Sequence, residues 1–202
     1  MTNIPLAQRL SKAEINELPL RQYNGPIHLI QNSADAKQAA STLSAETLLG
    51  FDTETRAAFR AGDRYSPSLL QLAGADAVFL FQLELTGLIP ELCEILSDPD
   101  IVKAGVAIRD DLKELRKLAP FQPAGFVELA SCAKKAKISN LGLRGLGALL
   151  LGFRISKGAQ VSNWAKQKLT PGQIAYAATD AWVGREIYLS MDRRGLIPKT
   201  TS

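Results

Sequence analysis

The apolar positions of this chain change their spacing along its length. Early on they come as short unbroken runs; later they recur three or four residues apart. Short apolar runs bounded by turn residues read as buried strands, and the wider spacing reads as helix. Runs at 27–30, 48–54, 68–73, 77–81, 101–106 and 126–129 therefore predict strands. Gly74, Ala75 and Asp76, between two of these runs, predict a hairpin. Helices are predicted over 34–43, capped by Ser33, and over 90–96, with Pro90 near the start. Another is predicted over 109–118, where Leu112, Leu115 and Leu118 share a face and Pro120 and Pro123 mark the end. Further helices follow at 129–136, 141–151 and 171–191. Residues 4–23 read as a short arm or helix, and 57–66 as an irregular stretch with Arg56, Arg60 and Arg64 nearby. Three strands with tight connections, then strand–helix alternation, then helices predict an α/β fold with a mixed central β-sheet flanked by helices.

The run at 48–54 stops on two acids, Asp52 and Glu54. Residues two apart on a strand point to the same face, so these carboxylates leave the strand side by side. Such a pair repels itself, and a hard divalent cation with its preference for oxygen removes that penalty. A solvated acidic turn is the ordinary alternative. Asp110 and Asp111 follow a second strand at the start of a helix, where acids also serve as caps or first-turn partners of the helix dipole. Tyr176 and Asp180 are four apart on the last helix and share a face. Asp180 lies among Ala175, Ala177, Ala178, Ala181 and Trp182, an apolar setting that a charge enters only with a partner, such as an ion or Arg185. Acids arriving from a strand end, a following helix and a covering helix suit two Mg²⁺ or Mn²⁺ ions. Ions about 3.5–4 Å apart hold the attacking water and leaving oxygen of an in-line phosphoryl displacement. The ordinary tyrosine pKa of about 10 makes Tyr176 a poor base but a good water-positioning group.

Composition narrows the field. The 202 residues have room for one core, and 46% hydrophobic with 22% charged residues is ordinary for a soluble protein. No apolar run reaches the ~18 residues of a membrane span, and residues 1–20 lack the core of a signal peptide. With Cys93 and Cys132 as the two cysteines and one histidine, His28, a Cys/His zinc site is excluded and a reducing, cytoplasmic setting is expected. The charge is lopsided: residues 1–100 hold 7 Lys/Arg against 13 Asp/Glu, a net −6, and residues 101–202 hold 17 against 7, a net +10. Residues 129–179 contain no acid at all. A polyanion-binding side accounts for this asymmetry, and a solvated cationic face is the competing reading.

Three segments carry a family resemblance. Gly50–Thr55, Lys103–Asp111 and Tyr176–Ala181 resemble the three exonuclease motifs of the DEDD superfamily, in its tyrosine subclass. The chain is similar to Werner-syndrome-type exonuclease domains and to the catalytic domain of ribonuclease D. Ser68–Leu72, Val78–Leu83, Leu143–Leu146 and Ser162–Ala165 fit as well, and the likeness covers about residues 27 to 192. It implies a ribonuclease-H-like fold with residues 1–26 as an N-terminal arm, 27–192 as catalytic domain and 193–202 as a tail. It also implies hydrolysis of the terminal phosphodiester at a 3′ end, releasing nucleoside 5′-monophosphates. Asp52, Glu54, Asp111 and Asp180 then become metal ligands, and Tyr176 orients the water. Counting from Gly105 selects Asp111 over Asp110. The histidine subclass would need His where Ala175 stands.

For nucleic-acid contacts the expected residues are Thr53, Phe59, Arg144, Asn163, Trp164 and Lys166. Amides around Arg144 and Gly145 at a helix start suit a phosphate. Trp164 offers a stacking face, against the more usual place of a tryptophan as a core anchor. The substrate is expected to be a single-stranded or recessed 3′ end of DNA or RNA, with no membrane partner. Two other functions fit the same fold: a catalytically weak or inactive nucleic-acid-binding module, and an endonuclease.

Overall fold

The structure, a computed structural model, describes residues 9–56 and 65–198. Most of the irregular stretch expected at 57–66 lies outside these residues, as does Phe59. Strands β1 (Ile27–Ile30), β2 (Leu48–Thr55), β3 (Pro67–Ala73), β4 (Val78–Gln82), β5 (Val102–Gly105) and β6 (Phe126–Glu128) form one sheet in the order β1-β4-β3-β2-β5-β6. β3 runs antiparallel to both β2 and β4, while β1 joins β4, and β5 joins β2 and β6, in parallel. The expected hairpin is present, closed by the Gly74 amide donating to the Ala77 carbonyl at 2.9 Å. The expected mixed α/β sheet is thus the architecture.

Helices cover both faces. α1 (Lys12–Glu17) belongs to the arm; α2 (Ser33–Leu43), α3 (Leu83–Thr86), α4 (Pro90–Ser97) and α5 (Ile108–Leu118) follow. α6 (Leu129–Lys135), α7 (Leu143–Leu151) and α8 (Pro171–Arg193) complete the chain. On one face, α2, α4 and α5 bury Leu43, Leu92 and Leu115 against Phe51, Leu70 and Phe81. On the other, α8 lays Ala177, Ala178 and Ala181 over Leu69, Ala73 and Leu80. The later turns of α8 pack Val183, Ile187 and Met191 against Leu146 of α7 and Leu129 of α6. Among the described residues no helix is long and apolar enough to cross a membrane.

Two local expectations change. α2 is capped by Asn32, whose side-chain oxygen accepts from the Asp35 amide at 2.9 Å, so Ser33 lies inside the helix. The amide acceptor sits one residue earlier than the hydroxyl assigned to the cap. The helix expected from 141 starts at Leu143, because Gly142 is extended and serves as its N-cap.

The fit of α8 to the sheet relies on missing side chains. A Cβ at Gly50 would run into the carbonyl oxygen of Ala181, and one at Gly184 would come within 3.1 Å of the Ala104 carbonyl. Helix and strand backbones therefore touch where any larger residue would hold them apart. Gly50→Ala is expected to cost about 1–3 kcal/mol of stability through overpacking. Urea unfolding checks this, and an unchanged midpoint would show that α8 has slack.

Candidate active site

β2 alternates across the sheet. Gly50 faces α8, so Asp52 and Glu54 share that side, while Phe51 packs in the opposite core. Asp180 hangs from α8 over these carboxylates, one turn beyond Tyr176. Asp111 arrives from α5, on the other face, and accepts a hydrogen bond from the Thr53 hydroxyl at 2.8 Å. Its neighbour Asp110 is exposed. The turn that aims α5 is unusual: Ala107 has φ 61°, and the Glu128 carboxylate accepts from the amides of Ala107 and Ile108, each at 3.0 Å. Glu128 thereby ties the start of α5 to the end of β6. The sequence reading missed this role, because the contact spans two elements with no motif between them.

Burial raises all four acids, and neighbouring charge adds to it at Asp52 and Glu54. Burial pushes the Asp52 carboxyl well up, the charges of Asp180 and then Asp111 add to it, and the Thr53 amide at 2.8 Å partly opposes them. Glu54 is pushed up to about 9 by burial first, then by Asp52, Asp180 and Asp111. Asp180 is raised to about 7 by burial, against the hydrogen bond from the Tyr176 hydroxyl. Burial also raises Asp111, with the Thr53 hydroxyl working the other way. The Tyr176 phenol is driven far above its ordinary range by burial and then by Asp180 and Glu54, so it stays protonated and donates.

Asp180 is only 7% exposed, and its Oδ1 has no hydrogen-bond partner. A buried carboxylate oxygen left so is costly, and a hard cation satisfies it. Among the described residues no group of three or more Asp, Glu, His or Cys is drawn to the spacing of a formed metal site. The donor chemistry nonetheless fits divalent cations: oxygen ligands, concentrated negative charge and an orphaned buried oxygen.

Two cavities flank the acids. One of about 540 Å³ is lined by Asp52, Thr53, Glu54, Tyr176, Asp180 and Arg144 among others. The other, about 490 Å³, is lined by Asn163, Lys166, Tyr176 and Asp180 among others. Arg144 donates to Asn16 at 2.7 Å, and its Nε is buried without a partner. Leu143, Arg144 and Gly145 line the acid cavity beyond the uncapped N-cap Gly142. The structure corrects two expectations. Trp164 is 1% exposed and packs in the core 6.0 Å from the Tyr176 ring, so no base can stack on it. Thr53 is buried, and its hydroxyl is committed to Asp111, so it positions an acid and has no free hydroxyl for a strand. Lys12, Lys157 and Gln160 also line the acid cavity and were not singled out. The acid-free segment was the available signal for Lys157.

A ribonuclease-H-like sheet with acids at the end of its central strand and on the helices either side defines the class of DEDD-type exonucleases. The chain belongs to the 3′-5′ exonuclease family, whose family model matches residues 27–195. The mouse bifunctional 3′-5′ exonuclease/ATP-dependent helicase WRN is 30% identical over 89% of this chain and 14% of its own length. Ribonuclease D of Gluconacetobacter diazotrophicus is 32% identical over 79% of this chain and 41% of its own. Both groups indicated by the motifs are therefore among its relatives, and the chain spans less than half the length of each. The Nibbler EXO domain of Aedes aegypti shares the fold, with a TM-score of 0.77, 24% identity and coverage of 87% of this chain and 91% of that one. Exonucleases of this family use divalent metal ions.

Raised carboxylates make a stability prediction. The folded protein binds more protons than the unfolded chain from about pH 4, the ordinary carboxylate range, up to about 9 for Glu54. Stability of the metal-free protein should therefore fall as pH rises through that window. Added Mn²⁺ should raise Tm more at pH 8.5 than at pH 5.5, because it replaces the bound protons. Differential scanning fluorimetry with chelator or Mn²⁺ tests this, and an ion effect independent of pH would count against a carboxylate site.

Proposed function

We propose that this chain is a metal-dependent 3′-5′ exonuclease of the tyrosine subclass, releasing nucleoside 5′-monophosphates from single-stranded or recessed 3′ ends of DNA or RNA. The observation that carries the reading is the gathering of Asp52, Glu54 and Asp180 in one cavity, with Asp111 near enough for its charge to raise both Asp52 and Glu54, and an orphaned oxygen on Asp180. In this reading Asp52, Glu54, Asp111 and Asp180 hold two divalent ions, Mg²⁺ or Mn²⁺. When bound, such ions lower the pKa of water and neutralise charge on the phosphoryl group.

The protein's own groups do the rest. Water oxygen attacks the terminal phosphorus in line, the bond to the 3′ oxygen of the preceding nucleotide breaks, and that oxygen takes up a proton. Tyr176 serves as a donor that fixes the water or the phosphate oxygen, since its phenol is held protonated. Thr53 keeps Asp111 turned toward β2. Arg144, Asn163 and Lys166 hold the strand: Arg144 at the acid cavity, the other two in the cavity beside it. We take residues 27–192 as the catalytic unit, with an arm before it and a tail after it. Free Cys93 and Cys132 suit a reducing compartment, and we place the protein in the cytoplasm.

The test uses 5′-labelled DNA and RNA strands of matched sequence with Mg²⁺ or Mn²⁺. A ladder shortening from the 3′ end is expected, abolished by chelator. Asp52→Asn should lower the rate by at least ~10²-fold, and Tyr176→Phe by about 10²-fold in kcat with KM little changed. Full activity in Asp52→Asn would refute the assignment. Salt-sensitive binding without turnover would identify a non-cutting module, and internal fragments appearing first would identify an endonuclease.

A further inference from the structure

We infer that residues 10–23, the arm ahead of the catalytic unit, form one wall of the nucleic-acid channel. Lys12 and Arg21 hold the strand's backbone on either side of the scissile phosphate. The inference rests on the exonuclease reading and extends it to a segment that the family resemblance leaves aside.

The arm is fastened along its length. Leu10 and Asn140 bond in both directions, at 2.7 and 3.0 Å. Arg144 donates to Asn16 at 2.7 Å, and the Arg154 Nε donates to the Leu18 carbonyl at 3.0 Å. The Arg154 amide donates to Pro19 at 3.0 Å, and the Arg21 amide returns a bond to Arg154 at 2.9 Å. The Tyr23 amide closes the series by donating to the Thr179 hydroxyl at 2.9 Å. Every one of these partners lies in the acid-free segment 129–179. The arm is thus laid along the basic part of the chain.

Its position relative to the cavities gives it a role. Lys12, Ile15 and Asn16 line the cavity that holds Asp52 and Glu54, while Arg21 and Gln22 line the second. The two cavities share Ser156, Tyr176 and Asp180. A phosphate placed at Asp180 therefore sits at their junction, with room for one nucleotide on each side. Apart from Asp52, Glu54 and Asp180, no acid among the described residues lines either cavity. Lys12 and Arg21 form no ion pair among the described residues, so their charges remain for a polyanion. Phosphate contacts of this kind fix the register of a strand without reading its bases.

The alternative is that the arm only covers the core through Ile15, which is buried. Lys12→Glu separates the two readings. Lys12 is the first residue of α1, where the helix dipole favours an acid, so the substitution should not weaken the fold. Fluorescence anisotropy of a labelled single-stranded 12-mer, in chelator so that nothing is cut, gives affinity as a function of salt. Lys12→Glu should weaken binding several-fold at low salt and flatten the salt dependence by about one unit of slope. Arg21→Gln should act in the same direction, with its Tm recorded because its guanidinium also lies over the Phe153 ring. Lys37→Glu is the charge-matched control, since Lys37 pairs with Glu91 at a site apart from both cavities. In Mg²⁺ the loss should fall in KM. Lys12→Glu binding and cutting with wild-type affinity, salt slope and KM would overturn the arm assignment alone. Failure of the wild type to shorten the strand in Mg²⁺ or Mn²⁺ would overturn the exonuclease reading with it.

Discussion

The arrangement of acids depends on a contact between two backbones. Gly50 of β2 and Ala181 of α8 meet with no room for a side chain between them, and Gly184 repeats the contact one turn on against β5. Asp180 is the residue immediately before Ala181, and Asp52 follows Gly50 by two. The carboxylates are therefore set from the point where helix and strand press closest. Ala177, Ala178 and Ala181 extend the same small-residue surface over the sheet. A larger residue anywhere in that surface would lift the helix and carry Asp180 away from Asp52. Tight packing here is the means by which one acid reaches another across two elements.

That placement works against stability. Burial favours the neutral forms of all four acids, the charges of Asp180 and Asp111 add to this at Asp52 and Glu54, and one oxygen has no partner at all. The surrounding fold compensates with local order. Thr170 and Gln173 form a capping box at the start of α8, Glu128 ties down the start of α5, and Thr53 restrains Asp111. These devices fix the elements that carry the acids, so the repulsion does not relax by melting them. The destabilisation is localised at the site, which is where a binding cation would relieve it.

Strand and helix positions were legible because buried runs and three-to-four spacing report local geometry. The same patterns do not report which atom wins a local competition. Asn32 rather than Ser33 caps α2, since both are cap-forming residues side by side. Convergence of the acids was legible only through the motifs, because Asp52, Asp111 and Asp180 are far apart along the chain. Trp164 shows the limit from the other side. A tryptophan in a basic, polar stretch gives no sign of whether it stacks on a base or fills the core, and here the neighbouring Tyr176 and α8 take it. The arm was the least legible part. Its bonds to Asn140, Arg144, Arg154 and Thr179 all span more than a hundred residues, and no periodicity or spacing encodes such contacts.

The lopsided charge takes on a physical meaning once the site is in place. Asp52 and Glu54 from the first half and Asp180 from the second build a negative pocket, and Arg144, Lys157 and Lys166, joined by Lys12 and Arg21 from the arm, line the cavities around it. Such a rim attracts a polyanion from a distance, but the pocket itself repels the phosphate that must enter it. The two requirements are reconciled only if positive charge enters the pocket as well. Cation and phosphate then favour each other's binding, and linkage makes the effect equal in both directions. On the proposed function, a nucleic-acid strand held by the rim would raise the pocket's affinity for its cations, and bound cations would raise its affinity for the strand by the same factor.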